Sequence, residues 1–111
     1  MATLTVQDLT RAGVTPTWNT AAAGGDAFVN DGKVIPIIRN NHVSASRTVT
    51  FVTQVTIDGF AVTDSTVTVT AANDFGIPKP FPPEWYNDGN NLVQMTYSDS
   101  GADIQIALIR P

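Results

Sequence analysis

Between Thr48 and Ile57 the chain reads T-V-T-F-V-T-Q-V-T-I. Val49, Phe51, Val55 and Ile57 fall on one parity, and Thr48, Thr50, Gln54 and Thr56 on the other. A period of two with β-branched residues on both faces predicts a half-buried antiparallel strand. Asp58-Gly59 follows as a turn signal. Alternation resumes from Thr66 to Ala71, with Val67 and Val69 inward and Thr66, Thr68 and Thr70 outward. It returns from Leu92 to Tyr97, where Val93, Met95 and Tyr97 oppose Gln94 and Thr96, and in the last strand, where Ile104, Ile106 and Leu108 oppose Gln105 and Ala107. Asn30-Asp31-Gly32 and Asn87-Asp88-Gly89 mark two further turns, one ahead of the apolar run Val34–Arg39 and one ahead of Leu92. Pro36 removes a ladder donor from the first run and predicts an edge position or a bulge. I-P-K-P-F-P-P at 77–83 must be extended and cannot be a central strand. Helical signal is confined to Val6–Ala12, a stretch too short to form a helix by itself. The pattern predicts an all-β fold, an antiparallel, jelly-roll-like β-sandwich of about seven or eight strands.

The N-terminal segment breaks this rhythm. Thr3–Val6 can form one short strand, but 7–26 runs through Gly13, Pro16 and A-A-A-G-G without sustained alternation. A connection of that length with no structure of its own is unusual in a compact domain and is often functional. The chain therefore divides into an extended N-terminal arm or long loop over residues 1–27 and a sandwich domain over 28–111. Twenty extended residues reach on the order of 65 Å. Leu4, Val6, Leu9 and Trp18 would anchor such an arm on a neighbour. The alternative is that the segment packs along the sandwich of its own chain.

Composition narrows the function classes. At 111 residues the chain is one domain, and with no cysteine it holds no disulfide, thiolate metal site or thiol nucleophile. A formal charge of −4, with six scattered basic residues, argues against a nucleic-acid partner. No apolar run approaches the roughly 18 residues that span a bilayer, and the N-terminus has no secretory pattern. Charged residues make up only 14% of the chain, against about 25% in ordinary domains, and fifteen threonines fill the gap. Interfaces are depleted in charge in the same way, although β propensity alone also favours Thr.

Chemistry finds few players. His42, the one histidine, sits in a polar loop, and none of Ser44, Ser46, Ser65, Ser98 or Ser100 lies in a nucleophile elbow. Asp31, Asp58 and Asp88 precede glycine, where Asp is turn chemistry. Glu84 lacks the facing carboxylate that glycoside hydrolysis needs, and Asp99 and Asp103 lack calcium-loop spacing. The reading is a protein that is not an enzyme and takes no metal or cofactor.

Binding is the better class. Phe81-Pro82-Pro83-Glu84-Trp85-Tyr86 gathers three aromatic rings on a rigid segment. Such a segment is an interface anchor, a sugar-stacking platform or a plug for the open end of the sandwich. The T-x-T runs at Thr48–Thr50 and Thr66–Thr70 suit a solvent face or a flat subunit contact; ice-binding arrays need more stacked repeats. Four segments then resemble a family: T-L-T-V-Q-D-L-T-R-A-G-V-T-P-T-W at 3–18, A-A-A-G-G-D-A-F-V-N-D-G-K at 21–33, D-G-F-A-V-T-D-S-T-V-T-V at 58–69 and P-F-P-P-E-W-Y-N-D at 80–88. Together they resemble the small head decoration, or cement, proteins of tailed bacteriophages. The resemblance implies a virion protein on the capsid exterior, assembled in the bacterial cytoplasm. It would bridge neighbouring major capsid subunits on the expanded head and self-associate, with a trimer favoured. The contact residues expected are Leu4, Val6 and Trp18 from the arm, and Phe81, Trp85 and Tyr86 from the Pro-rich segment. A tail or head–tail connector component and a carbohydrate-binding module are the alternatives.

Overall fold

The computed structural model describes residues 2–72, 74–98 and 101–111. Along the chain run β1 (Ala2–Leu4), β2 (Gln7–Asp8), β3 (Asn19–Ala21), β4 (Asp26–Val29), β5 (Ile35–Asn40), β6 (Arg47–Phe51), β7 (Thr56–Ile57), β8 (Phe60–Ala61), β9 (Ser65–Val69), β10 (Asp74–Gly76), the short helix α1 (Pro83–Tyr86), β11 (Leu92–Tyr97) and β12 (Gly101–Arg110). The first sheet has the order β1-β4-β11-β6-β9; the second has β10-β5-β12-β2, with β3 also on β12. The two form a β-sandwich, and β7 and β8 make a separate hairpin.

The inward parities meet between the sheets. Phe28, Val49, Phe51, Val69, Val93 and Met95 come from the first sheet, and Ile38, Ile104, Ile106 and Leu108 from the second. All are essentially inaccessible, and those on β6, β9, β11 and β12 hold the inward parity expected of them; Ala107, expected on the outer parity of β12, is buried as well. Pro36 is accommodated as its missing donor requires. β10 ends at Gly76, opposite Ile38, so no strand flanks β5 on that side at Pro36. Gly76 itself carries no side chain for a spatial reason: a Cβ there would lie 2.8 Å from methyls of Val67 and Val69. That absence lets β10 lie close against β9 at the side of the sandwich.

Three expectations are corrected. Residues 1–27 are not a separate arm, because they contribute strands to both sheets. β1 runs parallel to β4 with Leu4 opposite Phe28, β2 runs parallel to β12 with Gln7 opposite Ile109, and β3 pairs with β12. The strand expected over 48–57 ends at Phe51, and the chain then leaves the sheet as the β7–β8 hairpin, where Ile57 is exposed. Among the described residues one helix forms, in the Pro-rich segment where none was expected; its first residue is Pro83, whose fixed φ suits a helix start.

Buried polar side chains tie the loops to the sheets. Asn40, with no accessible surface, donates to the carbonyls of Ala45 at 2.8 Å, Val69 at 3.0 Å and Thr70 at 3.2 Å, and its Oδ1 accepts from the His42 amide. Asp26, 1% exposed, accepts from the Ala22 amide at 3.2 Å and from the Tyr97 hydroxyl at 2.6 Å. Burial first, and then the hydrogen bond to Asp26, push the Tyr97 phenol above its ordinary value of 10.0. A phenol whose folded pKa is raised ionises more readily in the unfolded chain. Its stabilising effect is complete below about pH 10 and is lost as the pH climbs further. Alkaline denaturation followed by tyrosinate absorbance should therefore show stability falling above that pH. In Tyr97→Phe the alkaline fall should be shallower, with a lower plateau near neutral pH because Asp26 loses its donor.

Candidate binding face

The register of the first sheet assembles one face out of separate T-x-T runs. Thr48 lies opposite Thr68 and Thr50 opposite Thr66, while Thr96 on β11 lies opposite Thr50. The hydroxyls of Thr48 and Thr68 hydrogen-bond at 3.0 Å. Farther along, Gln94 pairs with Ala27 and Leu92 with Val29, and Thr3 on β1 completes the row beside Ala27. Every one of these positions takes the outward parity, although Ala27 is covered at 2% exposure, and none carries a charge; the Asp88 carboxylate reaches the face from its turn, accepting from Gln94 at 3.0 Å. The chain has sixteen charged residues, six basic and ten acidic, yet all five strands present a neutral outer face. Val29 is 54% exposed there.

The outer face of the second sheet is different. Arg39, Gln105 and Phe75 share its parity, and the Arg39 guanidinium, bonded to Gln105, lies 4.5 Å from the Trp18 ring centre. Trp18 is also 6.0 Å from Phe75, ring to ring. This cation–π stack holds the β2–β3 connection down on the sheet, helped by Gln7, which receives the Thr17 amide and donates to the Thr15 carbonyl.

Of the six expected contact residues, Leu4 and Val6 are half-buried against the core, and Trp18 has one ring face covered by Arg39. Phe81 is 6% exposed. It stacks on Phe51 at 4.3 Å and meets Tyr86 edge-on at 4.8 Å. The Phe81 ring thus packs into the core at the end of the sandwich, where it also lines the pocket beside β9. Tyr86 shares a hydrogen bond with Ser65. Only Trp85, 39% exposed, keeps substantial free surface; its carbonyl accepts from Gln54. The structure does not gather the six into one patch. The sequence reading passed over Phe60 and Ile57, 76% and 52% exposed on the hairpin. The signal available was their position on either side of Asp58-Gly59.

Sequence reading also missed the link between the two N-D-G turns. Asn30, 3% exposed, donates to the Phe81 carbonyl and to Asn87 Oδ1, both at 2.9 Å, and Asn87 donates back to the Asn30 carbonyl at 2.8 Å. In the second turn Gln94 and the amides of Asn90 and Leu92 hold the Asp88 carboxyl below the usual carboxylate range. The aspartates of both turns thus have structural partners. His42 Nδ1 accepts from the amides of Ser44 and Ala45, which makes it a loop organiser. Asp99 and Ser100 lie outside the described residues. Among the described residues no three His, Asp or Glu side chains gather into a metal-binding group. No family model, curated protein or solved structure matches the chain.

Proposed function

We propose that the chain is a non-enzymatic decoration protein of a tailed-phage head, one that binds the outside of the expanded capsid and bridges neighbouring major capsid subunits. The observation that supports this reading is the outer face of the first sheet, on which no strand residue carries a charge. Charged residues are depleted at the centres of interfaces because they lose hydration there without full return. A face of Thr, Val, Leu and Gln across five strands meets that condition and offers hydroxyls for hydrogen bonds beside the apolar pair Val29 and Leu92. A capsid filled with DNA is strained outward, and a clamp that binds only the expanded lattice stabilises that state by linkage. Contacts repeated by symmetry let each one be weak.

Quantitative mass spectrometry of virions from a phage encoding the chain tests the proposal. Copies on the order of the major capsid protein are expected. A handful of copies would assign the protein to the tail or connector, and absence from the virion would overturn the structural reading. Thr96→Glu places a charge at an exposed position of the neutral face. It should leave the melting temperature nearly unchanged, since such surface changes stay within about 0.5 kcal/mol, while lowering affinity for expanded capsids at least tenfold.

A further inference from the structure

We infer that the protein self-associates by seating the β7–β8 hairpin of one copy in the pocket beside β9 of another. Ile57 and Phe60 are direct cross-strand partners, so their side chains project from the same face of the hairpin as a single apolar knob. The knob is held in shape before any partner arrives. Asp58 and Gly59 take positive φ of 52° and 82°, the geometry of a tight two-residue hairpin turn. At the base, the Thr53 amide donates to Asp64 at 2.9 Å and its hydroxyl to the Val62 carbonyl at 2.6 Å. A pre-ordered element loses little freedom on binding.

The receiving site is a pocket of about 270 Å³ between β9 and the Pro-rich segment, lined by Thr66, Val67, Pro78, Lys79, Pro80 and Tyr86 among others. That is below the roughly 300 Å³ at which pockets for drug-sized ligands begin, and it suits a single aromatic side chain. Proline walls have few donors to satisfy, so an apolar ring fits their chemistry. Charge names the partner as a second copy. Asp58 lies at the tip of the knob, Lys79 lines the pocket, and among the described residues neither forms an ion pair. Seating Phe60 in the pocket would bring the two charges together across the contact. This interface uses a different surface from the neutral face and does not depend on a capsid.

Sedimentation velocity on the isolated full-length chain, over a concentration series from about one to several hundred micromolar, reads the outcome. Concentration-dependent association is expected, and Phe60→Ser, at a position already exposed, should weaken it at least tenfold without moving the melting temperature. Asp58→Asn and Lys79→Met should each weaken association several-fold. The double variant should be no weaker than either single one, because one contact is lost in all three. A wild type that stays monomeric throughout, association indifferent to Phe60→Ser, or fully additive effects of Asp58→Asn and Lys79→Met would each overturn the inference.

Discussion

Replacing Phe51 with alanine is expected to destabilise the protein by about 3–5 kcal/mol, a large part of the roughly 5–15 kcal/mol that holds a domain together. Phe51 has no accessible surface and sits at the last position of β6, opposite Met95 on β11 and Ser65 on β9. Its ring is also the surface on which Phe81 stacks. The truncation therefore leaves a cavity and frees the plug. Phe81 would lose its stacking partner, and its neighbour Tyr86 would be less well held. Urea denaturation should show a lower midpoint with little change in slope, and Trp85 emission should shift, because α1 follows the plug. An unchanged midpoint would mean that Phe81 and α1 close the sandwich without help from Phe51.

Removing residues 1–20 is expected to do comparable damage. Had those residues formed an arm, the remainder would fold normally. Instead the deletion removes β1, β2 and part of β3. It strips Leu4 and Val6 from the core, each half-buried and worth about 1 kcal/mol by area. It also breaks the hydrogen bond from Asn19 to the Ile106 carbonyl and the ion pair between Asp8 and Arg110 at 2.5 Å, and it uncovers one edge of β4 and the Arg110 end of β12. The combined loss should be about 3–5 kcal/mol, mostly from packing and strand pairing, since an exposed ion pair adds little. Circular dichroism melts should show a broad, early transition for the truncated chain. A truncated protein that melts like the full chain would restore the independent arm.

Sheet membership was legible wherever a strand is long enough to show a period. β6, β9, β11 and β12 announced their inward residues because five or more alternating positions cannot be mistaken for a helix. β1, β2 and β3 have two or three residues each, too few for a period, and they are strands because tertiary pairing makes them so. β4 was hidden for another reason: Asp26, Ala27 and Phe28 are all buried, which erases the polar half of the pattern. The candidate site was legible in part. Outward threonines could be read from parity, but which strands lie side by side depends on sheet order, and local sequence does not encode that. The six anchors were chosen for being apolar or aromatic, properties that core and interface share. Phe81 went to the core, whereas Phe60, a residue of the same kind, went to the surface because it follows the turn at Asp58-Gly59.

The position of β12 bears on how the protein is made. This last strand lies in the middle of the second sheet, flanked by β5 on one side and by β2 and β3 on the other, and it joins Gln7 to Ile109 across almost the whole chain. During synthesis the second sheet has no centre until residues 101–110 emerge. The first sheet, which holds the proposed binding face, has only the β5–β10 part of the second layer against its apolar side until then. Folding must wait for β12 and must search for long-range pairings, which places it in the slow range of milliseconds to seconds typical of β topologies. A nascent or C-terminally clipped chain would lack the centre of the layer that supports the neutral face. Binding competence is thereby restricted to molecules in which β12 has been made and has found its place between β5 and β2.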